Sequence, residues 1–247
     1  MTTVRKLLAR TAVLILAVSA WPAAGHAHAA PPAVIGGGSG IVLETDDSGK
    51  QALCTLTAIG HDHAGRLVGI TAGHCAPSGT AVLAEKFPES GVIGHVARVD
   101  PRYDPNKDRI DHDWEIIEFD PARVNPVRQV GATVINGIGV PPVPGQIICK
   151  NGRSTGFTCG AVLDSDAQGF IHYACVDKGD SGGPVLLGDR LVGMINHFEI
   201  AFKNSELYRC RDPQNPIHSP MDSLQINYAL ADINRSTNAV GAGFILL

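Results

Sequence analysis

Short apolar runs separated by glycine and proline dominate the chain. Ala52 to Ile59, Leu67 to Thr71 and Leu191 to Ile195 have the length of strands, and few stretches keep the three-and-four spacing of an amphipathic helix. Trp114-Glu115-Ile116-Ile117-Glu118-Phe119, apolar and β-branched, predicts a further strand. The 28 glycines and 16 prolines supply turns between such runs, so the class read from the pattern is all-β. No helix is expected before the C-terminal region. There, Ser219-Pro220-Met221-Asp222 predicts a helix start running through Leu224, Ile226, Leu230 and Ile233, and the competing reading makes Ile217 to Leu224 a final strand. Asn234 to Gly243 is polar and Gly-rich and is expected to be loosely held, with Phe244-Ile245-Leu246-Leu247 either docked or exposed.

The amino terminus departs from this pattern. Arg5, Lys6 and Arg10 precede an apolar stretch from Thr11 to Trp21, and Ala27-His28-Ala29 places small residues where a signal peptidase cuts. The run is short for a membrane span, so residues 1–29 are expected to be a cleaved signal peptide, leaving a secreted or extracytoplasmic protein without stable membrane insertion. Cleavage would leave 17 basic against 24 acidic residues, a net charge of −7 in place of −4. That balance excludes a nucleic-acid partner as the expectation. All six cysteines follow residue 29, and an even number in an oxidising compartment predicts three disulfides. Spacing leaves fifteen pairings open. A metal reading of these cysteines lacks any Cys-x-x-Cys pair, and His61-Asp62-His63, followed by Ala64-Gly65, reads as a hairpin turn sooner than a zinc site. No metal and no cofactor are expected.

Two segments carry chemistry. Gly179-Asp180-Ser181-Gly182-Gly183-Pro184 offers a serine on a Gly-rich turn, and Thr71-Ala72-Gly73-His74-Cys75 offers a histidine. A serine hydroxyl becomes nucleophilic only when an imidazole takes its proton, so Ser181 is the candidate nucleophile and His74 the candidate base. A carboxylate must then fix the tautomer of His74. Asp113, at the head of the Trp114 to Phe119 strand, is the first candidate, with Asp111 two residues earlier as an alternative and Asp108 read as loop surface. His112 neighbours that acid, but the setting of His74 makes it the better base. The Gly179 and Ser181 amides are the candidate oxyanion hole, because glycine lets the backbone approach a reacting carbonyl.

With its His74, Asp113, Ser181 order, the chain resembles the chymotrypsin (trypsin-like) family of serine endopeptidases. The segment Cys149-Lys150-Asn151-Gly152-Arg153-Ser154-Thr155-Gly156-Phe157-Thr158-Cys159-Gly160 is similar to one typical of the small bacterial secreted streptogrisins and α-lytic protease. The resemblance covers, in patches, about Val34 to Leu230. It implies two antiparallel six-stranded Greek-key β-barrels, here about residues 34–122 and 123–235 of a protease domain spanning 30–247, with the active site in the cleft between them. It also implies a monomer acting on a peptide or protein substrate, and disulfides Cys54–Cys75, Cys149–Cys159 and Cys175–Cys210. Val34-Ile35-Gly36-Gly37 resembles the mature start of the family. A cut after Ala33 would free an amine to pair with Asp180, a role open also to Arg128 or Arg153. The alternative is a Gly-rich leader.

Departures from the family fall at Leu191 to Phe198, the strand that in relatives pairs with the substrate backbone. Asn196 takes the place of a serine, and Phe198 falls where glycine leaves the primary pocket open, so small side chains are expected there. Val176, Asn196, His197 and Phe198 are the candidate substrate-binding residues, Asp177 and Lys178 are read as solvent-facing rim, and the Glu199 to Arg209 loop is long enough to gate the cleft. The expected activity is peptide-bond hydrolysis through an acyl-enzyme. The alternatives are an inactive protease-fold binding protein or a serine esterase.

Overall fold

The computed structural model describes residues 30–44, 49–104, 109–198, 210 and 219–247, with backbone alone at 101–104, 109–111, 197 and 198. The proposed signal peptide, Asp108 and the 199–209 loop lie outside the described residues. The chain enters through β1 (Ala33–Ile35) and then forms β2 (Gly40–Glu44), β3 (Gln51–Thr55), β4 (Ala58–His61), β5 (Leu67–Thr71), β6 (Ala81–Ala84), β7 (Val92–Asp104) and β8 (Arg109–Phe119). These pair in the order β4-β5-β8-β7-β6-β2-β3. Only Leu56 and Thr57 separate β3 from β4, so one bent segment forms both edges and closes a six-stranded barrel. The apolar run Ala52 to Ile59 therefore spans a corner, and the strand predicted at 114–119 begins earlier and includes Asp113.

Crossing strands follow: β9 (Val124–Pro126), parallel to β1, then β10 (Gln129–Val130), β11 (Thr133–Val134) and β12 (Gly137–Ile138). The second barrel consists of β13 (Ile147–Gly152), β14 (Gly156–Ser165), β15 (Gly169–His172), β16 (Pro184–Leu187), β17 (Arg190–Phe198) and β18 (Met221–Gln225). A β17–β18 pairing closes the ring β17-β16-β13-β14-β15-β18. Both competing readings of the C-terminal region hold in part, because β18 ends at Gln225 and α1 (Ile226–Ile233) starts at the next residue. No helix among the described residues is long and apolar enough to cross a membrane.

Each barrel has its own core, and a third cluster joins them. Ile41, Leu43, Leu56, Ile93 and Ile117 fill the first barrel, and Ile148, Phe170, Val185 and Ile195 the second. Between them Val68, Ile70 and Ile116 of the first barrel meet Leu186, Leu191 and Met194 of the second and the Ile226, Ala229, Ile233 face of α1. The seam explains why Leu67 to Thr71 reads as an unbroken apolar run. All five residues are buried, because β5 faces the barrel core on one side and the second barrel on the other.

The tail is not loosely held, contrary to its composition. Gly241 N donates to Asp62 Oδ2 at 3.1 Å, His63 N to Ala242 O at 3.0 Å and Arg98 Nη1 to Val240 O at 2.8 Å. Then β19 (Ile245–Leu246) pairs with His61 and Gly60 on the outer edge of β4. Gly-rich sequence permits this path, and partners elsewhere in the first barrel hold it. Asp62, the middle residue of the histidine pair, also accepts from Ala64 N, Arg66 N and Arg66 Nε, which makes it the organiser of a hairpin turn.

Candidate active site

The Asp113 side chain, wholly buried on β8, takes both its hydrogen bonds from His74. Oδ1 accepts from the His74 backbone amide and Oδ2 from Nδ1, each at 2.7 Å. Two bonds to one residue fix the imidazole plane and put its proton on Nδ1, leaving Nε2 as the free acceptor. Burial pushes the imidazole pKa down, but the hydrogen bond and charge of Asp113 outweigh it and hold the pKa above the ordinary histidine value. The ring keeps an open side, since 35% of the side chain is exposed. Asp111 shares β8 through its backbone, and His112 is turned elsewhere, with Nδ1 2.8 Å from Asp232 Oδ2 and Nε2 3.0 Å from the Tyr228 hydroxyl.

The Ser181 turn is held by backbone contacts against the segment that leads to His74. Thr55 N donates to Ser181 O at 2.8 Å and Thr57 Oγ1 to Gly182 O at 2.5 Å. A Cβ on Gly182 would stand 2.0 Å from Thr71 Oγ1 and 3.0 Å from Ala72 N, so only glycine lets this loop lie against the segment leading to His74. Among the described residues no hydrogen bond joins the Ser181 hydroxyl to His74. The Cys54–Cys75 disulfide ties the residue after His74 to the residue before Thr55. Cys149–Cys159 and Cys175–Cys210 are also formed, which gives the three pairs implied by the resemblance.

No family model matches the sequence. An uncharacterised protein of Mycobacterium tuberculosis, Rv1815, is 32% identical over 156 residues, covering 58% of this chain and 67% of its own length, which puts the two in one family. Serine protease 1 of Rarobacter faecitabidus is 27% identical over 173 residues, 64% of this chain and 30% of its own. Nocardiopsis protease superposes with a TM-score of 0.61 at 19% identity, over 81% of this chain and 96% of the other, a likeness of fold. The chain belongs to the chymotrypsin-like protease fold.

In this chymotrypsin-like chain the acid beside the serine has a partner that sequence reasoning missed. Asp180 pairs with neither the Val34 amine nor Arg128 or Arg153. Its Oδ2 accepts from Lys150 Nζ at 2.9 Å and its Oδ1 from the Ser154 and Thr155 amides at 2.9 and 3.1 Å, with both charged side chains fully buried. Burial pushes the Lys150 pKa down, and Asp180 opposes that shift. Val34 is held in β1, where its neighbour Ala33 donates to Arg123 O at 2.8 Å. Arg153 is committed to Glu85. The signal for Lys150 was present in the alternation of β13, which puts it on the same buried face as Ile148.

A second acid also went unread. Glu115 is buried two residues after Asp113 on β8, and its Oε2 accepts from Ala76 N at 3.2 Å while Oε1 has no partner. Burial raises its pKa well above the carboxylate range and the charge of Asp113 adds to the rise, against the opposing Ala76 bond. Asp113 and Glu115 thus hold the amides of residues 74 and 76. Of the candidate substrate-binding residues, Val176 and Asn196 are buried, and Asn196 Oδ1 lacks a partner. Asn196 sits at a register shift, while His197 and Phe198 pair with Asp222 and Met221 of β18. Their side chains are outside the described atoms. Lys178 is exposed, as a rim residue should be, whereas Asp177 is half-buried.

Proposed function

We propose that the protein is an extracytoplasmic serine endopeptidase working by acyl transfer. The observation that carries this reading is the double hydrogen bond from His74 to a buried Asp113, which leaves Nε2 free, on a segment against which the Ser181-Gly182 turn packs. Ser181 Oγ attacks the scissile carbonyl carbon while His74 Nε2 takes its proton. The Gly179 and Ser181 amides receive the oxyanion, and His74 returns the proton to the leaving amine as the C–N bond breaks. Water then repeats the cycle on the acyl ester, with His74 again as base. Asp113 holds the ring in place and its carboxylate stabilises the imidazolium. Three disulfides support a location outside the reducing cytoplasm.

The substrate side of the reading rests on β17. Residues 197 and 198 have β18 along one edge and no partner strand along the other among the described residues, which suits an extended peptide added as a further strand. Phenylalanine at 198 favours a small or apolar residue before the scissile bond. A peptide library cut chiefly after Arg or Lys would contradict that preference.

Labelling of oxidised protein with a fluorophosphonate, followed by peptide mapping beside Ser181→Ala, tests the mechanism. A single adduct on Ser181 is the expected outcome. Folded, disulfide-bonded protein that takes up no probe overturns the reading, and turnover of esters without peptides replaces endopeptidase by esterase.

A further inference from the structure

The Gly179 amide belongs to the peptide linking Lys178 to Gly179, and in a trans peptide the N–H and C=O point in opposite directions. Whatever holds the Lys178 carbonyl therefore aims the Gly179 amide. The Ser154 hydroxyl holds it, at 2.6 Å. A second hydroxyl grips the next peptide, where the wholly buried Thr55 donates through Oγ1 to Gly179 O at 2.8 Å. Gly179 has φ of +96°, in the left-handed region where glycine turns freely, so its amide needs an external anchor.

Both hydroxyls are themselves aimed by Arg153. Its Nη1 donates to Ser154 Oγ at 3.1 Å and its backbone amide to Thr55 Oγ1 at 3.0 Å. Each hydroxyl thus accepts from Arg153 and spends its own proton on a carbonyl of the loop. The guanidinium forks onto Glu85 of the first barrel, Nε reaching Oε2 at 2.9 Å and Nη2 reaching Oε1. A continuous chain of hydrogen bonds runs from Glu85 through Arg153 and Ser154 to the peptide that ends in the Gly179 amide.

We propose that Ser154 is a positioning residue of the oxyanion hole, locking the Lys178–Gly179 peptide, with the Arg153–Glu85 bridge and Thr55 anchoring it to the first barrel. This rests on the peptidase reading above. Because Ser154 is exposed, its variants are expected to fold.

The test compares wild type, Ser154→Ala and Ser154→Thr as oxidised proteins, with kcat and KM for a chromogenic peptide ester and the affinity for a peptide boronate, whose tetrahedral adduct occupies the oxyanion hole. Ser154→Ala is expected to lower kcat about tenfold, less than the loss of an oxyanion donor itself. KM and melting temperature should be unchanged, boronate binding should weaken by the same factor as kcat, and Ser154→Thr should restore both. Wild type that labels at Ser181 beside a Ser154→Ala of unchanged kcat overturns the positioning role alone. A drop in stability that threonine does not rescue also overturns it, by reducing Ser154 to a structural residue. Wild type that fails to label overturns the peptidase reading beneath it.

Discussion

His172, wholly buried in β15, accepts from Ala174 N through Nδ1 at 3.1 Å and meets the Ser223 hydroxyl through Nε2 at 2.9 Å. Burial, reinforced by the charge of Lys150, pushes its pKa down to about 3. Between pH 6.5 and about 3 the unfolded chain therefore binds a proton that the folded chain refuses. The stability from this site is fully present above pH 6.5 and is lost as pH falls through that window, by about 1.4 kcal/mol per pH unit. Urea unfolding at stepped pH should show this slope, and His172→Gln should flatten it. Lys150 makes a second residue-scale prediction. Lys150→Met leaves Asp180 buried without its counter-ion and should cost about 3 to 5 kcal/mol. The double variant Lys150→Met with Asp180→Asn should recover part of that loss. Unfolding curves that match for single and double variants would rule out the pair as the source. Both residues show where sequence reading stopped. Ser181 and His74 announce themselves through their neighbours, whereas Lys150 carries no local mark beyond alternation, and lysine is so seldom fully buried that alternation alone did not outweigh its charge.

At the scale of elements, local pattern was read well where one residue type dictates one conformation. Leu67 to Thr71 was found as a strand residue for residue. The C-terminal region defeated an either-or reading, because β18 passes into α1 within one residue, and Gln225 caps the helix without a side-chain bond that would mark its start. The tail defeated composition for another reason. Backbone groups and Asp62 hold it, and such partners leave no trace in the tail's own residues. Asp62→Ala removes an acceptor of four hydrogen bonds shared between the β4–β5 turn and the tail, and should destabilise by about 2 kcal/mol. Hydrogen exchange should then quicken at both 62–66 and 239–246. Exchange that quickens only in the turn would mean that the tail is held by β19 alone.

Over the whole molecule, the two barrels share a seam as apolar as either core, so they are expected to unfold together. Leu186→Ala, in that seam, should cost about 2 to 5 kcal/mol. It should also shift the fluorescence transition of Trp114, whose ring lies in that seam and donates to Asp232, together with that of far-ultraviolet circular dichroism, which reports both barrels. Separate transitions would show barrels that melt independently. The pairing of Leu246 with Gly60 has a consequence for biosynthesis. The first barrel is synthesised early, yet its outer edge waits for Ile245 and Leu246. Until these emerge from the ribosome, β4 lacks its outer neighbour and Arg98 lacks the carbonyl of Val240. Synthesis through residue 246, and not of the first barrel alone, is then what completes the β4 edge, and a nascent polypeptide short of that point is expected to be more easily kept unfolded for passage through a narrow channel.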